Sequence, residues 1–162
     1  MGSVQGPRDE RVEAVRLLLF EERHGTLSTI STRPEGHPFG SIVPFAQAAG
    51  GQPLLLLSAL AQHTRNLQAD GRACLLVAQG GAEDPLQAPR AALIGRAACL
   101  GGAEAEDGRA RFLKRHPRAA AYFALDFGLW RLDVAEVRFV GGFAKAAWVS
   151  AAELLGPGAG HS

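Results

Sequence analysis

An excess of charge of either sign is missing from this sequence: 17 Lys and Arg stand against 16 Asp and Glu, a formal net charge of +1. No summed basic field then pulls the chain towards nucleic acid or an anionic membrane, and neither is expected as a partner. Long apolar runs are missing too. The strongest, Leu17–Phe20 and Leu54–Leu57, fall far short of the roughly 20 residues that span a bilayer. Met1–Glu10 lacks the unbroken apolar stretch of a secretory signal, which sets the expectation of a cytoplasmic protein. Cysteine is scarce: Cys74 and Cys99 are far apart and outside any C-x-x-C pattern, which argues against a disulfide framework or a zinc site and suits a reducing compartment. His24, His37, His63, His116 and His161 show no paired helical spacing, so no metal site is expected. No internal repeat and no long linker divides the chain.

What is present is ordinary globular material. With 47% hydrophobic and 20% charged residues over 162 positions, the chain can bury one core and lies outside the composition of disorder. A single domain over 11–155 is expected, with a flexible N-terminus at 1–10 and a flexible tail at 156–162.

Arg11–Glu22 places Val12, Val15, Leu18 and Leu19 at helical spacing, an amphipathic helix suited to covering a sheet. Thr26–Ser31 and Phe39–Phe45 read as strands joined through the turn chemistry of Arg33-Pro34-Glu35-Gly36, hence an antiparallel hairpin. Gly50-Gly51 turns the chain into Leu54–Leu57, a run suited to a strand buried on both faces. Ser58–Asp70 reads as a strand end passing into a short helix, and Ala73–Ala78 and Ala91–Leu100 as further strands around a Gly- and Pro-rich loop at Gly80–Ala88. Glu104–Ala124 is rich in helix formers, broken near His116-Pro117. Phe127–Leu132 and Val137–Val140 supply the last two strands, and Ser150-Ala151-Ala152-Glu153 matches a helix-starting capping box. Short antiparallel strands with segregated helices predict an α+β fold, and closure into a barrel removes the sheet edges.

Two local matches carry little chemistry. Asp126-Phe127-Gly128 spells the kinase magnesium motif without the accompanying catalytic and phosphate loops. Gly141-Gly142-Phe143-Ala144-Lys145 lacks the spacing of a P-loop or dinucleotide fingerprint. Trp130 and Arg131 suit a strand, where an aromatic usually joins the core.

Longer stretches resemble a known family. Gly40-Ser41-Ile42-Val43-Pro44-Phe45, the run from Leu56 through Ser58-Ala59-Leu60-Ala61-Gln62-His63-Thr64-Arg65-Asn66-Leu67, Asp126–Leu132, and Val140–Ala146 together resemble the haem-utilisation branch of the pyridoxamine-phosphate-oxidase-like, FMN-binding split-barrel family. The resemblance implies a six-stranded antiparallel split β-barrel with flanking helices. It also implies a homodimer with cofactor sites along the subunit interface. FMN is the implied cofactor, in a flavin-dependent oxidoreductase of unassigned substrate and without an assigned catalytic side chain. The alternative is a haem-binding or haem-utilisation protein, or a non-catalytic ligand-binding module of the same fold. By the same resemblance Ser41, Ile42 and Val43 would run along the isoalloxazine ring. Lys145 would meet a cofactor carboxylate or phosphate.

At Ser58–Leu67 a helix start offers unpaired N–H groups and partial positive charge, a seat for phosphate. Ser58 and Thr64 would donate hydroxyl bonds there, Arg65 and protonated His63 charge-assisted ones, and Asn66 joins the same segment. Flavin-binding relatives commonly carry Lys where His63 stands. In the competing reading, Ser58 caps the helix, His63 and Arg65 face solvent, and Asn66 satisfies local backbone. Relatives that degrade haem often carry an additional C-terminal region, whereas this sequence ends soon after its last helix; His161 on the tail is the residue that would reach a partner's haem.

Overall fold

Leu27, Thr29 and Ser31 alternate inward with half-buried Thr26, Ser28 and Ile30, the two-residue period of a strand with one face on a core. A computed structural model describes residues 7–142 and 146–156. Its elements run α1 (Pro7–Glu21), β1 (His24–Thr32), β2 (Glu35–Gln47), β3 (Pro53–Ser58), α2 (Gln62–Ala69), β4 (Arg72–Ala78), β5 (Arg90–Cys99) and α3 (Gly102–Arg115). A 3-10 turn (Pro117–Ala119), α4 (Ala120–Phe123), β6 (Phe127–Val140), β7 (Ala146–Ser150) and α5 (Ala151–Leu155) complete the order.

Every strand pairing is antiparallel, and the sheet runs β3-β2-β1-β4-β5-β6-β7. A further pairing of β3 with β6 closes six strands into a ring. The expected six-stranded barrel is therefore present, with β7 as a seventh strand outside the ring. One edge of β6 is shared: Phe127–Arg131 pairs with β3, and Glu136–Val140 pairs with β7. The barrel splits where β6 changes partner.

Two cores follow from this arrangement. The interior one gathers Val15, Leu19, Leu27, Phe45, Leu55, Leu57, Leu75, Leu93, Leu132 and Val137, with α1 and α5 across one opening and Leu67 of α2 also contributing. The second joins Leu54, Leu56 and Leu129 on the other face of β3 and β6 to Phe112 and Ala119. Leu54–Leu57 is thus buried on both faces, as its unbroken apolar run predicts.

Three differences from the sequence reading have physical causes. The helix expected from Arg11 begins at Pro7, where proline suits a first turn. The strands expected at 127–132 and 137–140 are one continuous strand, because a bulge at Ala135 changes the phase. Val134 pairs with Gly95 and Glu136 with Ile94, so Ala135 is the extra residue; inward positions shift from Trp130, Leu132 and Val134 to Val137 and Phe139. The final strand is instead β7, too short to show a period of its own.

The expected capping box is formed: Ser150 Oγ accepts from Glu153 N, and the Glu153 carboxylate accepts from Ser150 N. Arg16 fastens α5 to α1 by donating to Leu154 O at 2.9 and 3.2 Å. The Arg115 guanidinium donates to Leu19 O, Phe20 O and Glu22 O, satisfying carbonyls at the end of α1. Cys74 is half-buried, Cys99 is exposed, and both are free thiols. Among the described residues, no helix is long and apolar enough to cross a membrane.

Candidate functional site

The corner between β3 and α2 is organised by a carboxylate from another strand. Ser58 is the last residue of β3 and pairs with Phe127 of β6, which brings Asp126 alongside. Ser58 Oγ donates to Asp126 Oδ2 at 2.5 Å, and Leu60 N donates to the same oxygen at 3.3 Å and to Ser58 Oγ at 3.2 Å. Ala59 N donates to Asp126 O at 3.0 Å. These donors hold the Asp126 carboxyl below its ordinary pKa, the Ser58 hydroxyl contributing most. Ser58 does not cap α2; that position is Ala61, without a side-chain cap.

Downstream, the helix turns its polar groups back on the chain. Thr64 Oγ1 is buried and donates to Ser58 O at 2.6 Å. Asn66 is fully buried; its Oδ1 accepts from Thr32 N at 2.9 Å, Thr32 Oγ1 at 3.2 Å and Gln62 Nε2 at 2.8 Å, while Nδ2 donates to Thr29 Oγ1 at 2.9 Å. This clasp ties α2 to β1. Arg65 is exposed, and among the described residues its guanidinium makes no hydrogen bond or ion pair.

His63 faces the barrel strand β2. Its Nδ1 lies 3.1 Å from Ser41 Oγ, while Nε2 is shielded from solvent and has no hydrogen-bond partner. Burial lowers the pKa of the ring, so it is neutral near pH 7. In one tautomer Ser41 donates to Nδ1 and Nε2 carries an unspent N–H. In the other, Nδ1 donates to Ser41 and Nε2 offers a lone pair. Val43 is core. Ile42, 76% exposed, points to the opposite face of β2.

Ile42 begins an apolar row across that outer face. Successive register partners run Ile42, Thr26, Leu76, Ala92, Arg138 and Trp148, with Ile94 and Cys74 in the next row. Leu76, Ile94 and Trp148 are 39%, 38% and 58% exposed, and the Arg138 guanidinium lies 5.3 Å from the Trp148 ring centre. Elsewhere, a groove of about 550 Å³ between α1 and the end of β6 is lined by Leu17, Leu18, Phe139, Glu10 and Glu21 among others. Its described lining includes Gly141 and Ala146 of the family-like run Val140–Ala146 but none of the candidate cofactor-binding residues.

The structure therefore brings Ser41 to His63, gathers Ser58, Thr64 and Asp126, sets Arg65 free on the helix surface, and separates Ile42 from Val43. Lys145 and His161 lie outside the described residues. In the sequence Asp126 shows only a kinase-like tripeptide and the start of the family-like run Asp126–Leu132. Only the Ser58–Phe127 register reveals its place, and register between distant strands is not written in local pattern. Among the described residues no group of three or more His, Cys, Asp or Glu could hold a metal ion.

This donor set does not fit a phosphate dianion well: the Ser58, Thr64 and Asn66 donors are spent, His63 is neutral, and a carboxylate faces the corner. His63, a neutral imidazole with Nδ1 beside the Ser41 hydroxyl and Nε2 unspent, has the chemistry of a metal ligand, with Nε2 shielded from solvent so that a ligand reaches it only by displacing what covers it.

Comparison with known proteins agrees with the fold. A family model described as CREG, beta-barrel matches residues 6–155. The chloroplastic heme oxygenase HOZ of Arabidopsis thaliana is 37% identical over 137 residues, which is 83% of this chain and 41% of the plant protein. A heme binding protein from Mycobacterium smegmatis superposes with a TM-score of 0.82 at 31% identity, over 94% of this chain and 62% of that one. A Clostridium acetobutylicum protein of the pyridoxinephosphate oxidase family superposes at 0.68 with 11% identity, over 90% of this chain and 98% of that one, and shows the shared fold alone. This chain spans less than two thirds of the plant and mycobacterial proteins.

Proposed function

The chain belongs to the CREG β-barrel family, and from that premise we propose that it binds haem, as a cytoplasmic homodimer serving haem utilisation. The observation that carries this reading is its similarity, at 31% identity over 94% of its length, to a heme binding protein from Mycobacterium smegmatis. The 37% identity to a heme oxygenase points to the same ligand. The site supports it chemically. His63 Nε2 would meet the iron, Ser41 would fix the imidazole tautomer, and Arg65 would pair with a propionate carboxylate. Haem itself supplies the redox and oxygen chemistry, tuned by its ligand and surroundings. The protein's part is to hold the imidazole neutral and oriented.

A second reading, an FMN-dependent oxidoreductase, is favoured by one observation: Arg65 stands unpaired on the first turn of α2, where a phosphate would gain from both the guanidinium and the helix end. Lys145 would join it.

Dimerisation is supported by the outer face of the sheet. Ile42, Leu76, Ile94 and Trp148 form an apolar surface that a second copy would cover, with Arg138 and Glu136 available for reciprocal pairing across a two-fold axis. Two free thiols suit a reducing cytoplasm.

Absorption titration tests the ligand. Haem added to the protein should give a saturable, shifted Soret band, weakened in His63→Ala and kept in His161→Ala. A Soret change lost only in His161→Ala would move ligation to the tail. Shifted flavin bands with FMN and no response to haem would replace the haem reading with the flavin one.

A further inference from the structure

We infer that Asp126 is a specificity-determining residue whose carboxylate occupies the anion-binding corner between β3 and α2 and excludes phosphate monoesters, FMN among them, from it. The inference rests on this corner being part of the ligand site, and not on which ligand binds there.

The corner has the donors an anion needs. Ser58 Oγ and Leu60 N converge on one point, just before a helix of eight residues whose first N–H groups carry partial positive charge. The anion already at that point belongs to the chain: Asp126 Oδ2 lies 2.5 Å from Ser58 Oγ and 3.3 Å from Leu60 N. Its position is not a matter of side-chain chance. Asp126 stands immediately before β6, whose Phe127 is in register with Ser58, and the Asp126 carbonyl accepts from Ala59 N at 3.0 Å. The same hydrogen bonds lower the Asp126 pKa, so the group is ionised throughout the physiological range.

A phosphate placed on these donors would meet that carboxylate at contact distance, like charge against like charge. Among the described residues no cation offsets it within the corner. Among the described residues, the Asp126 carboxylate makes no ion pair, Thr64 is spent on Ser58 O, and His63 is neutral. Arg65 is left for an anion that approaches the outside of α2, as a haem propionate would. A ligand is thus accepted by its ring system and rejected by a terminal phosphate.

FMN and riboflavin share one ring and differ by that phosphate, so fluorescence titration of both isolates the effect. The intact protein should show no preference for FMN over riboflavin, absence of binding included. Asp126→Asn keeps the shape and removes the charge; Asp126→Ala vacates the corner. Each should raise FMN affinity roughly tenfold with little change for riboflavin, and adding Ser58→Ala to Asp126→Ala should reverse much of the gain. A tenfold preference for FMN in the intact protein would overturn the inference, as would folded Asp126 variants, checked by far-UV circular dichroism, that gain nothing. The intact-protein comparison stands even if a variant fails to fold. Haem titration of the same samples keeps the two readings apart: loss of haem binding sinks the proposed function and leaves the flavin ratio to decide the role of Asp126.

Discussion

Asn66 shows how much of segment 58–67 is consumed by the fold itself: its side chain makes four hydrogen bonds, to Thr29, Thr32 and Gln62, with no solvent exposure. Asn66→Ala strands the Thr32 backbone N–H, and should lower unfolding stability by about 2 to 4 kcal/mol, read from the denaturant midpoint. The imidazoles add a pH dependence. The pKa of His63 is lowered from 6.5 by burial. His116, lowered from the same 6.5, is depressed chiefly by burial and further by Arg115, Arg23 and His24, against its bond to Phe45 O. Both groups take up protons on unfolding, so their contribution is complete above pH 6.5 and is lost as pH falls through their folded pKa values. Thermal melts should shift downward from pH 7 to pH 5.5, and the shift should shrink in a variant lacking both rings. The sequence displayed Ser58, His63, Thr64, Arg65 and Asn66 as a polar group near a helix start, and Ser41 only through the family resemblance. Which atoms were already spent was not legible, because hydrogen-bond partners such as Thr29 and Asp126 come from remote strands.

At the scale of elements, hydrophobic spacing located α1, β-prone and apolar runs bounded by turn residues located the first five strands, and Pro117 located the break after α3, since each carries its signal within a few residues. The period failed at β6, where the Ala135 bulge reverses which residues face inward. That bulge requires glycine opposite it. A Cβ on Gly95 would lie 2.0 Å from Asp133 O, so Gly95→Ala must push β5 and β6 apart. Its expected cost is about 2 to 4 kcal/mol, measured by chemical denaturation. The loss should also raise hydrogen exchange along both strands near the bulge. At α1, Arg115 supplies from α3 what the helix end lacks in its own sequence: a donor for three terminal carbonyls. Such a cap in trans has no local signature.

For the whole molecule, closure of β3 onto β6 joins the first half of the barrel to the second and leaves the outer face of β2, β1, β4, β5, β6 and β7 bearing Ile42, Leu76, Ile94 and Trp148. Light scattering at micromolar concentration should give a dimer, and Ile42→Glu or Trp148→Glu should give folded monomers, since a buried unpaired carboxylate at the interface centre is costly. The barrel and its strand number were within reach of the sequence through family resemblance. The apolar row was not, because it exists only across six strands in register. The most direct test of the ligand assignment is an absorption spectrum of the protein equilibrated with equimolar haem and FMN and then freed of unbound ligand. Retention of a Soret band without flavin bands is the result predicted by the free His63 nitrogen and the Asp126 carboxylate; retained flavin bands without a Soret band would contradict the account.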